Sequence, residues 1–259
     1  GSTDITAGTG TAFTGTSGIS VATGSLTPGT YTLRVRIRDG AGNWSTGTGG
    51  VRTTTLTVTV VGPAIPSLTT LDSFTRANAN NLGSNWNQAS TGTDVDLRVN
   101  SNQVFANQTE DGGQAIWNVS MFGAKQAAAF TFANTTLNNS ALILKATGAS
   151  ITSPTNFIRV RYEQGSTRVR VAITTNGGST YATGGDINGI TFASGDTMTA
   201  MVDSTGMVYV WKTTGATTTL LGNVQLPNNA LWTTGSGRIG IKLQTTGARI
   251  DDFRGGTVP

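Results

Sequence analysis

The sequence predicts an all-β protein built from two β-sandwich units, and three observations predict it. Thr is frequent from one end of the chain to the other; it is β-branched and sits more easily in a strand than in a helix. No stretch longer than about eight residues carries a helical period. Short alternating apolar runs recur throughout, separated by turns containing Gly, Asn or Asp. The apolar fraction is low, 36%, but it falls in strand-sized pieces, which argues for a folded chain. A length of 259 residues suits one large or two ordinary β-domains.

The first unit is expected over residues 1–62. Ala12 to Leu26 is rich in Thr, Gly and Ser and reads as one or two weak strands. Leu26-Thr27-Pro28-Gly29 is a turn, because Pro presets φ and Gly allows it to be positive. Tyr31 to Arg38 then alternates, with Tyr31, Leu33, Val35 and Ile37 on one face. Asp39-Gly40-Ala41-Gly42-Asn43 turns the chain, and Val51 to Val61 forms a second long strand. From Pro28 through Tyr31 to Trp44-Ser45, this stretch resembles the penultimate strand and following turn of bacterial immunoglobulin-like or fibronectin-III-like surface repeats; the resemblance covers residues 26–61. Such a sandwich takes about seven strands and about 100 residues. Only three or four strands fit here, so the resemblance implies a partial immunoglobulin-like unit. Its open sheet edges and its apolar face (Tyr31, Leu33, Val35, Ile37) would be completed by strands from another copy of the chain. Packing back on the second unit, or truncation, are the alternatives. Pro63 and Pro66 stiffen a short linker over residues 63–66.

The second unit is expected over residues 67–259. Strand candidates are Leu97 to Val99, Gln103 to Ala106, Ala115 to Val119, Ala127 to Phe132, Ala141 to Lys145, Phe157 to Glu163, Arg168 to Thr174, Met198 to Val202, Val208 to Lys212, Gly237 to Leu243 and Arg249 to Phe253. Asn176-Gly177-Gly178, Gly195-Asp196 and Ser204-Thr205-Gly206 separate several of them. So many short strands suggest a two-sheet jelly roll. The last two candidates flank Thr245-Thr246-Gly247 and read as a β-hairpin. Asp72-Ser73-Phe74 and Asp251-Asp252-Phe253 share Asp-x-Phe, which in a strand sends both side chains the same way. A sandwich whose first and last strands are neighbours would bring Asp72 close to Asp251. Asp72-Ser73-Phe74-Thr75-Arg76-Ala77, Leu82-Gly83-Ser84-Asn85-Trp86, Ser194-Gly195-Asp196-Thr197, Gly237-Arg238-Ile239-Gly240 and Ile250-Asp251-Asp252-Phe253 together resemble the concanavalin A-like lectin/glucanase (laminin-G-like) jelly rolls of bacterial secreted proteins. That fold hosts lectins, glucanases and adhesion modules, so the resemblance implies a fold and leaves function open.

Composition removes several chemistries. The chain has no Cys and no His, so thiolate chemistry, disulfides and a Ser-His-Asp site are impossible. The net charge of +4 is too small and too dispersed for a nucleic-acid binder. No apolar run is long enough for a membrane span, and no secretory signal is present in the sequence; a secreted chain would have lost its signal or carry it elsewhere. A glycosidase needs two suitably spaced carboxyl groups. The only glutamates, Glu110 and Glu163, lie on different segments, and Asp94 with Asp96 reads equally as a solvated strand face. Five Asn-x-Ser/Thr sites (Asn43, Asn107, Asn118, Asn134, Asn138) are about what this Ser- and Thr-rich composition gives by chance.

Three constellations remain. Asp72, Asp251 and Asp252 are the best candidates for a structural calcium, although surface aspartates at strand ends look the same in sequence and no other cofactor is expected. Tyr209 and Trp211 share one strand face and would stack on a sugar or fill a core. Arg159, Arg161 and Glu163 share a face of one strand; across Gln164-Gly165-Ser166-Thr167, Arg168 and Arg170 face away from Val169 and Val171. Paired as a hairpin, these strands put four Arg and one Glu on one face, a pattern suited to acidic polymers or to plain solvent. The functional expectation is a non-enzymatic structural or adhesive subunit of an extracellular or cell-surface assembly, such as a filament or surface layer, self-associating through strand complementation. The alternative is a carbohydrate-binding module of a larger secreted protein, with polysaccharide as partner.

Overall fold

The computed structural model describes residues 29–36, 41, 51–58, 62–88, 97–107 and 113–259. The chain divides between Val61 and Gly62 into two compact units. In the first, β1 (Gly29–Arg36) pairs antiparallel with β2 (Val51–Val58), placing Tyr31 opposite Leu56 and Val35 opposite Arg52. Ile37 lies outside the described residues.

The second unit contains β3 (Thr69–Asp72), β4 (Trp86–Gln88), β5 (Leu97–Asn100), β6 (Gln103–Ala106), β7 (Gly113–Trp117), β8 (Gln126–Phe132), β9 (Ser140–Thr147), β10 (Asn156–Glu163) and β11 (Arg168–Thr174). It continues through β12 (Ala182–Asn188), β13 (Thr197–Val202), β14 (Met207–Thr214), β15 (Thr217–Gln225), β16 (Arg238–Leu243) and β17 (Arg249–Thr257). They form two antiparallel sheets. The seven-stranded sheet runs β12-β11-β10-β9-β16-β7-β4, and the eight-stranded sheet runs β15-β14-β13-β8-β17-β6-β5, with β3 on β17. Alternating residues of both sheets, among them Val160, Val171, Leu142, Ile241, Phe130, Ala200, Val210 and Ile250, fill one shared core. The all-β sandwich expected from the alternating runs is therefore the architecture of this unit.

The terminal pair departs from expectation. β16 and β17 are not a hairpin: β16 pairs with β7 and β9, whereas β17 pairs with β3, β6 and β8 in the opposite sheet. Both strands carry fully buried residues, Ile239, Ile241 and Leu243 in one and Ile250 and Phe253 in the other. Facing each other across the core buries both sets, and pairing side by side would leave one sheet short of its central strand. The first and last strands of the unit are neighbours, as expected, with Asp72 opposite Phe253. The two Asp-x-Phe copies are not regular strand, however. Phe74 (φ 51°) and Asp252 (φ 53°) are both left-handed, and β17 shifts register against β8 after Asp251.

Asp72 closes this end of the sandwich. Its carboxylate accepts the Phe74 amide at 2.8 Å, an Arg76 guanidinium N–H at 2.7 Å and the Trp86 indole N–H at 2.7 Å. Trp86 in turn packs on Phe74, Trp117 and Phe253, with ring centroids 5.9, 5.3 and 4.9 Å away.

At the other end, the edge strands β12 and β15 approach closely. A Cβ on Gly184 would lie 2.8 Å from Leu226, and one on Gly185 would lie 3.0 Å from Val224. Lys145 also serves the fold. It is 1% exposed, and its Nζ donates to the carbonyls of Trp232 (2.9 Å) and Thr233 (2.6 Å). Burial lowers its pKa from 10.5 to about 8, against a smaller opposing pull from Asp203. The unfolded chain therefore holds this proton more tightly than the folded one, and stability should rise with pH between about 8 and 10.5. Thermal melts across that window should show the rise in the wild type and a flatter profile in Lys145→Met.

Candidate functional site

The strongest concentration of polar side chains lies on the outer face of the seven-stranded sheet. β10 and β11 form the hairpin that the alternation suggested. A single 3-10 turn, Gln164–Ser166, and a left-handed Thr167 (φ 45°) join them. The register sets Glu163 opposite Arg168, Arg161 opposite Arg170 and Arg159 opposite Ala172. Ile158, Val160, Tyr162, Val169 and Val171 point into the core, so the arginines and Glu163 must point out. β12 adds Asp186 beside Arg170, and β9, β16 and β7 continue the row with Ala141, Lys242 and Gln114. One line of side chains, Asp186-Arg170-Arg161-Ala141-Lys242-Gln114, thus crosses six strands.

The charges are interlocked. Glu163 is 7% exposed. It accepts hydrogen bonds from Arg161 and, at 2.5 Å, from Arg168, and Arg170 lies 3.5 Å from it. Asp186 accepts from Arg168 and Arg170, both at 3.0 Å. Arg159 is 5% exposed and has a different environment: its guanidinium lies 3.5 Å from the centroid of the Tyr181 ring and donates to Gln244 Oε1 at 3.3 Å. Arg161 donates to the same oxygen at 3.1 Å. The Nε atoms of Arg159 and Arg161 and the Tyr181 hydroxyl are buried without hydrogen-bond partners. Three guanidinium groups thus share two carboxylates, and the fourth, Arg159, bonds neither. Burial works to raise the Glu163 carboxyl, but the hydrogen bonds from Arg161 and Arg168 outweigh it and hold the group below the usual carboxylate range. Asp186 is held down chiefly by its hydrogen bond from Arg170. Burial brings Arg159 down to about 10.

The other expected sites fare differently. Trp211 is 3% exposed on the outer face of the eight-stranded sheet, where Leu68, Leu220 and Val258 cover it together with Ala127 and Met201. Tyr209 lies beside it, half-buried, at 5.9 Å between centroids. Of the two expectations for this pair, stacking on a sugar or filling a core, Trp211 takes the second: Leu68 before β3 and Val258 after β17 pack against it. The proposed calcium ligands are engaged by groups of the protein itself. Asp72 is engaged by Phe74, Arg76 and Trp86, Asp251 accepts the Asp252 amide, and Asp252 lies 3.5 Å from Arg254. Burial raises the Asp251 carboxyl, which disfavours its charged form. Among the described residues no group of three or more His, Cys, Asp or Glu side chains could hold a metal ion. The side chains of Tyr31, Leu33, Val35 and Ile37, and those of Asp94, Asp96 and Glu110, lie outside the described residues.

Sequence reading missed Asp186, Gln244 and Tyr181. Asp186 sits in Gly184-Gly185-Asp186-Ile187-Asn188, where Gly-Gly masks the strand; the buried Ile187 was the one signal that could have revealed it. Gln244 and Tyr181 lie next to strands rather than in them, and nothing in the sequence ties them to the arginines. Because Trp211 is packed rather than exposed, Trp211→Ala should cost about 3–5 kcal/mol, read as a large fall in the denaturant midpoint of the second unit.

No protein-family model matches this chain, and no curated protein matches it. Among solved structures it is similar to lectin II from Ulex europaeus, at 9% identity and a TM-score of 0.44, covering 70% of this chain and 97% of that one. It is also similar to the carbohydrate binding module CBM66 from Bacillus subtilis, at 10% identity and a TM-score of 0.41, covering 75% and 94%. A prokaryotic β-1,3-1,4-glucanase derived from a mouse hindgut metagenome matches at 11% identity and 0.43, covering 71% and 99%. Likeness at this level carries nothing about ligand or activity, and the sandwich fold rests on the strand pairings themselves.

Proposed function

We propose that the unit from Gly62 to Pro259 is a non-catalytic carbohydrate-binding module of a secreted protein, with the outer face of the seven-stranded sheet as its ligand face. One observation carries the reading: Arg161, Arg168, Arg170 and Asp186, part-exposed on three adjacent strands, present guanidinium and carboxylate groups in fixed register, while Ala141, Lys242 and Gln114 further along the row are buried. Planar donors held in this way suit the hydroxyl and carboxylate groups of a polysaccharide lying across the strands. The outer face of the other sheet is closed over Trp211 by Leu68, Leu220 and Val258.

The same geometry argues against hydrolysis. Glycoside cleavage needs one carboxylic acid with a raised pKa to protonate the leaving group. Glu163 and Asp186, the two acids on this face among the described residues, are both held below the usual range and stay ionised.

Affinity electrophoresis through gels containing neutral and acidic polysaccharides tests this reading. Retardation by at least one polymer is expected, with no reducing ends released. Arg170→Ala should weaken retardation about tenfold, roughly 1.4 kcal/mol. It should leave the fold intact, since Glu163 keeps Arg161 and Arg168 and Asp186 keeps Arg168. Unretarded wild type, or an unaffected variant, would count against the assignment.

A second reading, assembly through strand addition, draws on one observation: β1 and β2 pair with each other and with no other strand among the described residues. Such a two-stranded piece is marginal alone. Light scattering should then show concentration-dependent association that disappears when residues 1–61 are removed; a monomeric full chain would end this reading.

A further inference from the structure

We infer that the side chain of Gln244 holds the place of a ligand anion: a carboxylate or sulfate group on a polysaccharide displaces its amide and binds between Arg159 and Arg161. The inference rests on the ligand face proposed above and names the chemistry that face takes.

The argument starts from charge. Glu163 and Asp186 are already engaged by Arg161, Arg168 and Arg170. Four arginines stand against these two carboxylates, and among the described residues no carboxylate lies within ion-pair distance of Arg159. A guanidinium that is 5% exposed is normally paired with an acid, because removing it from water is otherwise unfavourable. Here its hydrogen-bond acceptor is the neutral carbonyl oxygen of Gln244, which it shares with Arg161 at 3.3 and 3.1 Å. Charge-assisted bonds to an anion run shorter, about 2.7–2.9 Å. One amide oxygen is serving where a carboxylate would fit, and the buried Nε of each arginine is left without any partner.

The mechanical arrangement points the same way. Arg159 and Arg161 stand on β10, paired on one side with β9 and on the other with β11, so the donors are fixed. The Tyr181 ring holds the Arg159 guanidinium from above. Gln244 is half-buried and has already left β16; it opens the connection to β17, anchored by its backbone N–H on the Asn139 carbonyl at 3.2 Å. A side chain in that position can swing out while its backbone stays in place. The anion then gains two charged donors where the amide supplied one neutral acceptor, and the planar fork of guanidinium suits a carboxylate or a sulfate ester equally.

The test is a charge placed in the seat. Wild type, Gln244→Glu, Gln244→Ala and Arg170→Ala are titrated with polygalacturonate, dextran sulfate and unmodified dextran, and their melting temperatures recorded. Wild type should bind one of the two anionic polymers at least tenfold more tightly than dextran, and which one binds identifies the anion. Gln244→Glu should melt higher than wild type, because its own carboxylate fills the seat, and should lose at least tenfold in that affinity. Gln244→Ala should keep or improve it. Asn223→Asp, which adds the same charge at an exposed position on the other sheet, should change neither. Equal binding of anionic polymer by wild type and Gln244→Glu, or no preference for anionic over neutral polymer, overturns the inference. If dextran binding is lost in Arg170→Ala while Gln244→Glu behaves as wild type, the ligand face stands and the anion seat falls. If Arg170→Ala alters no binding at all, it is the ligand face itself that falls.

Discussion

One carboxylate holds the outer face of the seven-stranded sheet together. The hairpin register puts Arg161 directly opposite Arg170, and like charges in that position push two strands apart. Glu163, two residues along β10 from Arg161 on the same face, gathers Arg161, Arg168 and Arg170 around a single acid group. Burying such a cluster costs desolvation, and an apolar face of the same shape would be at least as stable. What the cluster provides is position. Arginine side chains free in solvent would lose rotamer entropy on gripping a ligand; these have lost it during folding, so less would be lost if they bound one.

The position of Asp186 depends on features far from any charge. β12 and β15 are the edge strands at one end of the two sheets, and they come together because Gly184, Gly185 and Gly222 carry no side chain. A Cβ at Gly222 would lie 3.1 Å from Ile187, and the φ of 158° there is extended backbone. Closing this edge buries Ile187 and Val224. With Ile187 turned inward, its neighbour Asp186 must turn outward, onto Arg168 and Arg170. The glycines of β12 therefore act on the arginine face through the packing of a core residue.

How much of this was legible follows from how each part is encoded. Wherever apolar and polar residues alternate within one strand, as in Ile158 to Glu163 and Arg168 to Val171, the period dictates which side chain faces out, and the four-arginine face could be read directly. Pairing over long sequence distance is not encoded in that way. Gly237 to Leu243 and Arg249 to Phe253 look like two arms of a hairpin because their connection is short, yet each is needed inside a different sheet. β12 and β15 were missed because Gly is ordinarily read as a strand breaker, whereas here it allows two sheet edges to meet. Trp211 was ambiguous for another reason. Val208-Tyr209-Val210-Trp211 is apolar on both faces, and local sequence does not reveal that Leu68 and Val258, far away along the chain, cover the outer one. The Asp72 carboxylate looked like a metal ligand because its three donors, an amide, an arginine and an indole, are brought to it by the fold of the closing strands.

The weak overall charge of the chain also bears on how the arginine face can work. At physiological ionic strength, attraction between exposed charges fades over about 8 Å. A net charge of +4 spread over 259 residues therefore gives little long-range steering toward an acidic polymer, and density of charge alone would not distinguish this face from any other basic surface. Discrimination must come at contact, from donors that are already aimed. Arg159 and Arg161 meet that condition: Arg159 is buried and Arg161 half-buried, both stand on a strand paired on its two sides, and both are directed at one oxygen. Burial also lowers the local dielectric, so an anion placed there interacts more strongly than one at the rim. If the Gln244 amide gives way to an anion as inferred, a small number of immobilised cations would do what a large diffuse charge could not: select by geometry and lose little of the effect to salt.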